Sequence, residues 1–303
     1  MANTQSQNTC PICNSNNRLR LFSAQDRLLH VTEEKFDLMY CPNCKVVATY
    51  PQPSQDQIGK YYPSEYYPLG EASQSYYDNY IGRFQKDKIA QIQRYKQGGR
   101  ILDVGCGVGF FIKEAQKVGY VCDGIEFSSA AAEAGKKKLG LNIVCANFLN
   151  YPIPPSTYDI VTLWHVFEHL YEPLKVLSKI KEILVPGGLL VIAVPNFSSI
   201  QSKIFKKRWY HLTVPRHLYH YSDVSLKKLV MQSGYTSIDI DYFCYEHNGG
   251  GILGSLMRLS PPGESFTHKL IRKTIASYAC NSLAWIESGL GRGGTFTLFA
   301  NKD

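Results

Sequence analysis

The sequence predicts an α/β chain built on one doubly wound, mostly parallel sheet of seven strands, with a small metal-binding unit in front of it. Three observations carry this. Short apolar runs alternate with stretches of helical periodicity from residue 100 onward, the pattern of strands and crossover helices. The first of these runs ends at Asp103 and enters Gly105-Cys106-Gly107-Val108-Gly109, where glycines let the backbone approach a ligand closely. Two C-x2-C pairs, Cys10/Cys13 and Cys41/Cys44, stand near the N-terminus.

Bulk properties frame the reading. At 303 residues the chain has room for one large α/β domain plus a small appendage. With 44% hydrophobic and 19% charged residues it has the balance of a soluble globular protein rather than a disordered one. No stretch approaches a transmembrane length and the N-terminus is polar, so the expected location is cytoplasmic. A formal charge of +8 favours an anionic partner, for which nucleotide sugars, phospholipid surfaces and RNA all qualify.

Taken in order, residues 1–53 read as a zinc ribbon. Each C-x2-C turn points two thiolates at one metal, and two turns complete a closed tetrahedral site, which is structural rather than catalytic. Residues 19–22 and 35–40 are expected to pair as strands, with the loop 25–34 bulging out and His30 on the surface. The other cysteines, Cys106, Cys122, Cys145, Cys244 and Cys280, read as small core residues in a reducing compartment. Pro51 and Pro53 mark a linker, and residues 54–98 then hold a tyrosine-rich segment with Tyr66 and Tyr67 and an expected helix over 76–96.

The main domain spans 99–303. A helix over 110–118 follows the glycine turn, and the next strand, 120–125, ends in Glu126, about twenty residues on, where an acid can accept ribose hydroxyls. Residues 142–146 make the third strand, tipped by Asn147 and Phe148. The fourth, 158–163, runs into Trp164-His165-Val166-Phe167-Glu168-His169, and the fifth is 189–194. A basic helix is expected over 200–209, then a polar cluster with His211, Arg216, His217 and His220. Strands at 237–244 and 295–300 bracket a helical cap over about 248–292, which also carries His247 just before it.

Asp103, Gly105, Gly107 and Gly109 match the Asp-x-Gly-x-Gly-x-Gly motif, and here the chain resembles class I S-adenosylmethionine (SAM) methyltransferases of the ubiquinone-type and sugar-modifying kinds. A dehydrogenase would show Gly-x-Gly-x-x-Gly without the leading acid. The resemblance implies a Rossmann-like sheet, a helical lid over SAM formed by residues 54–98, and a SAM site at Asp103, Gly105, Cys106, Gly107, Gly109, Phe110, Glu126, Phe127, Asn147, Phe148 and Trp164. Asn147 departs from the Asp many relatives place there. Glu168 and His169 match the end of a Glu-x-x-Glu-His segment associated with a divalent metal, but His165 replaces its first acid, which weakens an active-site cation. The resemblance also implies His217 as general base, with His165, Glu168 and His169 as its polar neighbours. Arg216, His211, His247, Tyr66 and Tyr67 are then candidates to hold the acceptor.

The resulting expectation is a SAM-dependent methyltransferase acting on oxygen of a small-molecule, sugar or lipid-linked acceptor, anionic by the charge argument. Transfer to carbon or nitrogen stays open, and so does a module that binds SAM without catalysis. An RNA methyltransferase using the ribbon to hold RNA is disfavoured, because Trp164-His165 stands where an Asn/Asp-Pro-Pro-Tyr motif would. The basic helical segments allow peripheral membrane contact.

Overall fold

The structure, a computed structural model, describes residues 8–63, 82–257 and 266–303 (backbone alone for 266–277). Its N-terminal unit is an antiparallel sheet of β1 (Leu19–Gln25), β2 (Lys35–Tyr40) and β3 (Val47–Tyr50). The first strand runs three residues past the expected 19–22. The loop after it is built rather than slack: the Asp26 carboxylate accepts the N–H groups of Leu28, Leu29 and Val31. His30 is exposed, as read.

Helix α1 (Gly82–Gln93) covers the described part of the 76–96 expectation except its last three residues, where the chain turns. Then come β4 (Arg100–Val104), α2 (Phe110–Lys117), β5 (Val121–Glu126), α3 (Ser129–Leu139) and β6 (Ile143–Cys145). The chain returns through β7 (Tyr158–Trp164), α4 (Pro173–Ile183) and β8 (Leu184–Pro195), followed by the short α5 (Ile200–Phe205). A two-residue strand β9 (Tyr219–His220) precedes α6 (Asp223–Gln232) and β10 (Tyr235–Asp241). The cap is α7 (Asn248–Met257) and α8 (Phe266–Gly289), and β11 (Thr295–Lys302) closes the chain.

The large sheet has the order β10-β11-β8-β7-β4-β5-β6, parallel except for β11, which runs antiparallel to both neighbours. Both faces are covered, so the central strands are apolar on both sides over most of their length, with Asp103 of β4 and Thr162 of β7 as buried polar exceptions. On one face Ile101, Ile160 and Val191 meet Ile89, Ile92 and Ile112 of α1 and α2. On the other, Leu102, Val161 and Ile192 meet Val176 and Leu177 of α4 and Leu226 of α6. The strand order reverses direction between β4 and β7, and the crevice at their carboxyl ends is where such sheets bind ligands.

The cap is stapled down by Asn248, 2% exposed. Its amide donates to the Tyr242 carbonyl and the Ser288 hydroxyl, and its Oδ1 accepts from Thr295 N–H and Oγ1, all at 2.8–3.0 Å. With every donor and acceptor paired, burial of this amide costs little. Cys145 is exposed, which corrects the reading of it as a core residue.

Candidate active site

The glycine turn is shaped by packing on one side and left open on the other. Gly105 has φ +72°, and a Cβ there would lie 2.5 Å from Val166 Cγ2. At Gly107 (φ +56°) a Cβ would meet nothing within 4 Å, so this is the point where a ligand can press against the main chain. Gly105→Val is therefore expected to distort the turn, at roughly 1–2 kcal/mol for the left-handed backbone alone plus the clash. Titration calorimetry should show SAM affinity falling by more than about tenfold.

Two acids flank the turn. Glu126 accepts Gly107 N–H on Oε2 and Ser128 N–H on Oε1, both at 2.8 Å, which fixes its carboxylate at the mouth of the turn with lone pairs left over. Asp103 is 3% exposed, accepts a 2.7 Å bond from Thr162 Oγ1, and is pushed up to about 7 by burial. Phe110 opens α2 and Cys106 is half-buried beside it. Phe148 is buried, with Lys179 Nζ 5.1 Å from its ring centre. Phe127 lies 74% exposed, while the Asn147 Oδ1 is taken by Leu149 N–H.

At the tip of β7, His165 adopts φ +56°, a region uncommon for a non-glycine residue. Its ring packs edge-on to His247 at 4.2 Å between centroids. Its Nδ1 lies 3.7 Å from Glu168 Oε1, and His217 Nε2 lies 3.9 Å from the same oxygen. Glu168 is 1% exposed and neither carboxylate oxygen has a hydrogen-bond partner. Burial pushes this carboxyl up to about 7 and holds His165 down near 4, with His169 lowered and His217 lowered further. The histidines are thus neutral at pH 7, the form that accepts a proton. His169 packs against His217 at 4.7 Å, and its Nδ1–H donates to the Arg216 carbonyl at 2.9 Å, leaving Nε2 as the lone-pair nitrogen.

The loop that carries His217 is held by the ribbon. Strand β9 pairs with β3, so the ribbon sheet gains a fourth strand from the main domain. Thr49 donates from Oγ1 to the His217 carbonyl at 2.7 Å, which leaves His220 Nε2–H to donate to the same hydroxyl at 3.1 Å. Thr49 N–H also bonds the Leu218 carbonyl, and Leu218 N–H bonds the Glu168 carbonyl. The ribbon is in this way a template for the histidine loop. Sequence reasoning missed Thr49 and Asp26, which lie over 150 residues from the groups they hold and leave no local signal.

One acceptor candidate falls elsewhere. Arg216 is fully buried and its guanidinium is spent on Asp26, at 2.8 and 3.2 Å, and on the Tyr61 carbonyl, which corrects its assignment to the acceptor. His211 is 7% exposed, packs on Trp209, and lies 3.2 Å from the His247 carbonyl. Tyr66 and Tyr67 lie outside the described residues. A narrow cleft opens beside Trp164 and His165, walled by Lys88, Gln91, Phe243 and Glu246. Lys88 and Glu246 pair across it at 3.0 Å, and the indole N–H of Trp164 has no partner.

At the ribbon, the four candidate zinc ligands, Cys10, Cys13, Cys41 and Cys44, bring their sulfurs within 4.8 Å of one another. Glu168, His169 and His217 form a second set within the same span.

A family model described as a methyltransferase domain matches residues 77–240, more than half of the chain. The chain belongs to this methyltransferase family. A methyltransferase of Geobacillus that is itself uncharacterised is 29% identical over 153 residues, 46% of this chain and 71% of that one. The mitochondrial ubiquinone biosynthesis O-methyltransferase of Schizosaccharomyces pombe is 32% identical over 103 residues, 32% of this chain and 38% of its own length. This chain likewise spans half or less of several other curated relatives. Among solved structures, a SAM-dependent methyltransferase of Thermotoga maritima superposes with a TM-score of 0.51 at 15% identity, over 75% of this chain and 97% of that one. A phosphoethanolamine N-methyltransferase of Haemonchus contortus gives 0.52 at 16% identity, over 91% of this chain and 65% of its own. These superpositions speak for the fold. The mostly parallel seven-stranded sheet is the one expected from the sequence; the antiparallel placement of β11 beside β8 was not.

Proposed function

We propose that this SAM-dependent methyltransferase moves a methyl group to oxygen of a small-molecule, sugar or lipid-linked acceptor, with His217 taking the acceptor's proton. The observation that carries the reading is the buried, unpartnered Glu168 carboxylate 3.9 Å from His217 Nε2. The acceptor oxygen attacks the methyl carbon, the carbon–sulfur bond breaks, and its electron pair stays on sulfur, which becomes neutral. The proton passes to the neutral imidazole, and Glu168 offsets the imidazolium that forms. The likeness to a ubiquinone biosynthesis O-methyltransferase supports oxygen as the target. Labelled methyl from SAM, followed into a fractionated extract, tests the acceptor class. Label in small-molecule or lipid fractions is expected, and label confined to nuclease-sensitive material would contradict the reading.

Metal content bears on two further points. Four sulfurs this close cannot all ionise without a cation between them, so the ribbon is proposed to hold one structural zinc. A second reading of the catalytic cluster rests on the unpartnered Glu168 oxygens: with His169 and His217 they offer a two-nitrogen, one-carboxylate set that suits a borderline divalent ion. Such an ion would polarise the acceptor oxygen. Elemental analysis of purified protein should give one zinc per chain, lost in Cys41→Ser. A second equivalent, lost in His169→Ala, would establish the two-metal version.

A further inference from the structure

We infer that the outer face of α5 and α8 is a docking surface for an anionic phospholipid membrane. An ordinary surface helix buries its apolar stripe and turns charge to water. Helix α8 departs from this over its last three turns, burying a narrow apolar seam and a carboxylate while leaving large apolar side chains in water. Cys280, Ala284, Glu287 and Ser288 are buried, with Glu287 at 4% exposure accepting from the Gln201 side chain at 2.9 Å. Tyr278, Leu283, Trp285, Ile286 and Leu290 are 54–77% exposed, and Glu287 is the only charged residue from 278 to 290.

Helix α5 lies alongside. Gln201 N–H donates to Glu287 Oε1 at 3.0 Å, and Phe205 packs on the cluster of Cys280 and Ala284. Ile204, between these two contact residues in sequence, is 67% exposed. Lys203, Lys206, Lys207 and Arg208 are all exposed around it.

Charge complementarity selects the occupant. Among the described side chains of residues 199–212, 248–257 and 278–292, Lys203, Lys206, Lys207, Arg208 and Arg292 are exposed, and the one acid, Glu287, is buried. A water-facing patch gains nothing from exposed Leu, Ile and Trp, and a nucleic acid would call for the charge without them. Basic residues bordering exposed aliphatics and a tryptophan are what an amphipathic surface presents to lipid headgroups and the acyl boundary. Among the described residues no helix is long and apolar enough to cross a membrane, so the contact is peripheral. The cap also overhangs the catalytic cluster, since His247, edge-on to His165, leads directly into α7. A membrane-docked cap therefore suits the lipid-linked form of the acceptor reading, though the docking itself does not depend on that reading.

The test is sedimentation of the full chain with phosphatidylcholine vesicles with and without phosphatidylglycerol, in the absence of SAM. Binding to the anionic vesicles alone, weakened by salt, is expected. Lys206→Glu with Lys207→Glu should lower the partition coefficient by about tenfold or more. Leu283→Ser with Ile286→Ser should do the same while SAM affinity and melting temperature stay at wild-type values, which separates lost docking from lost folding. Trp285 fluorescence should shift to the blue on anionic vesicles, with Trp285→Phe as the blank. Absence of binding, equal binding to neutral vesicles, or binding untouched by both double variants would overturn the inference. So would sedimentation velocity showing a dimer that Ile286→Ser dissolves, or RNA held by Lys206 and Lys207 without vesicle binding.

Discussion

Arg216→Ala is expected to destabilise the protein by about 3–5 kcal/mol, the usual consequence of removing one partner of a buried ion pair. Both side chains of the Arg216–Asp26 pair are fully buried. The arginine also donates to the Tyr61 carbonyl at 3.1 Å, so its loss strands a carboxylate and a carbonyl together. At roughly 2–4 °C per kcal/mol for a chain of this size, the melting temperature should fall by about 10 °C. The sign of the pH dependence follows from Asp26. Burial alone would raise its carboxyl, but the hydrogen bonds and charge of Arg216 hold it below the ordinary value. Its stabilisation is present above the unfolded value and lost as pH falls through the folded one. The gap between wild type and Arg216→Ala should therefore narrow in acid. A Met at 216 paired with Asp26→Leu should be far milder than either single change, because no charge is left alone. Because His217 is the next residue, the single variant should also lose turnover.

The second large effect concerns SAM and Asp103. Burial raises this carboxyl to about 7, with the Thr162 bond opposing, so it is largely neutral at pH 6 and largely ionised at pH 8. A group with a raised folded pKa contributes stability that is complete below its unfolded value and lost as pH rises through about 7. The protein without ligand should thus weaken across neutrality. SAM brings a sulfonium and an ammonium cation, which favour the ionised acid at the end of β4. Its affinity should rise about tenfold between pH 6 and pH 8 by proton linkage. Asp103→Asn should bind more weakly and show no such rise. Calorimetric titrations of both proteins across this range would check it; a pH-independent wild-type affinity would remove Asp103 from the cofactor site.

The sheet was legible because each strand declares itself locally. Ile101-Leu102, Ile160-Val161 and Leu190 to Val194 are apolar on both faces, as parallel strands covered by helices must be. The glycine turn and the cysteine pairs were legible for the same reason, since their geometry is fixed within a few residues. The site was legible only in part. Glu168, His169 and His217 do converge. Arg216 looked like an acceptor clamp because nothing near it in sequence reveals Asp26, 190 residues away. Strand β9, two residues long, has no periodicity to read, yet it ties the ribbon to the catalytic loop. Such features are decided by which surfaces meet, and a single sequence read segment by segment does not hold that information.

The most direct test of the account is His217→Ala, measured for both SAM affinity and methyl transfer. The account predicts wild-type SAM affinity with turnover reduced by about 100-fold or more, the cost of losing a general base. Unchanged transfer, or SAM affinity lost together with turnover, would contradict the place given to His217 at the centre of this site.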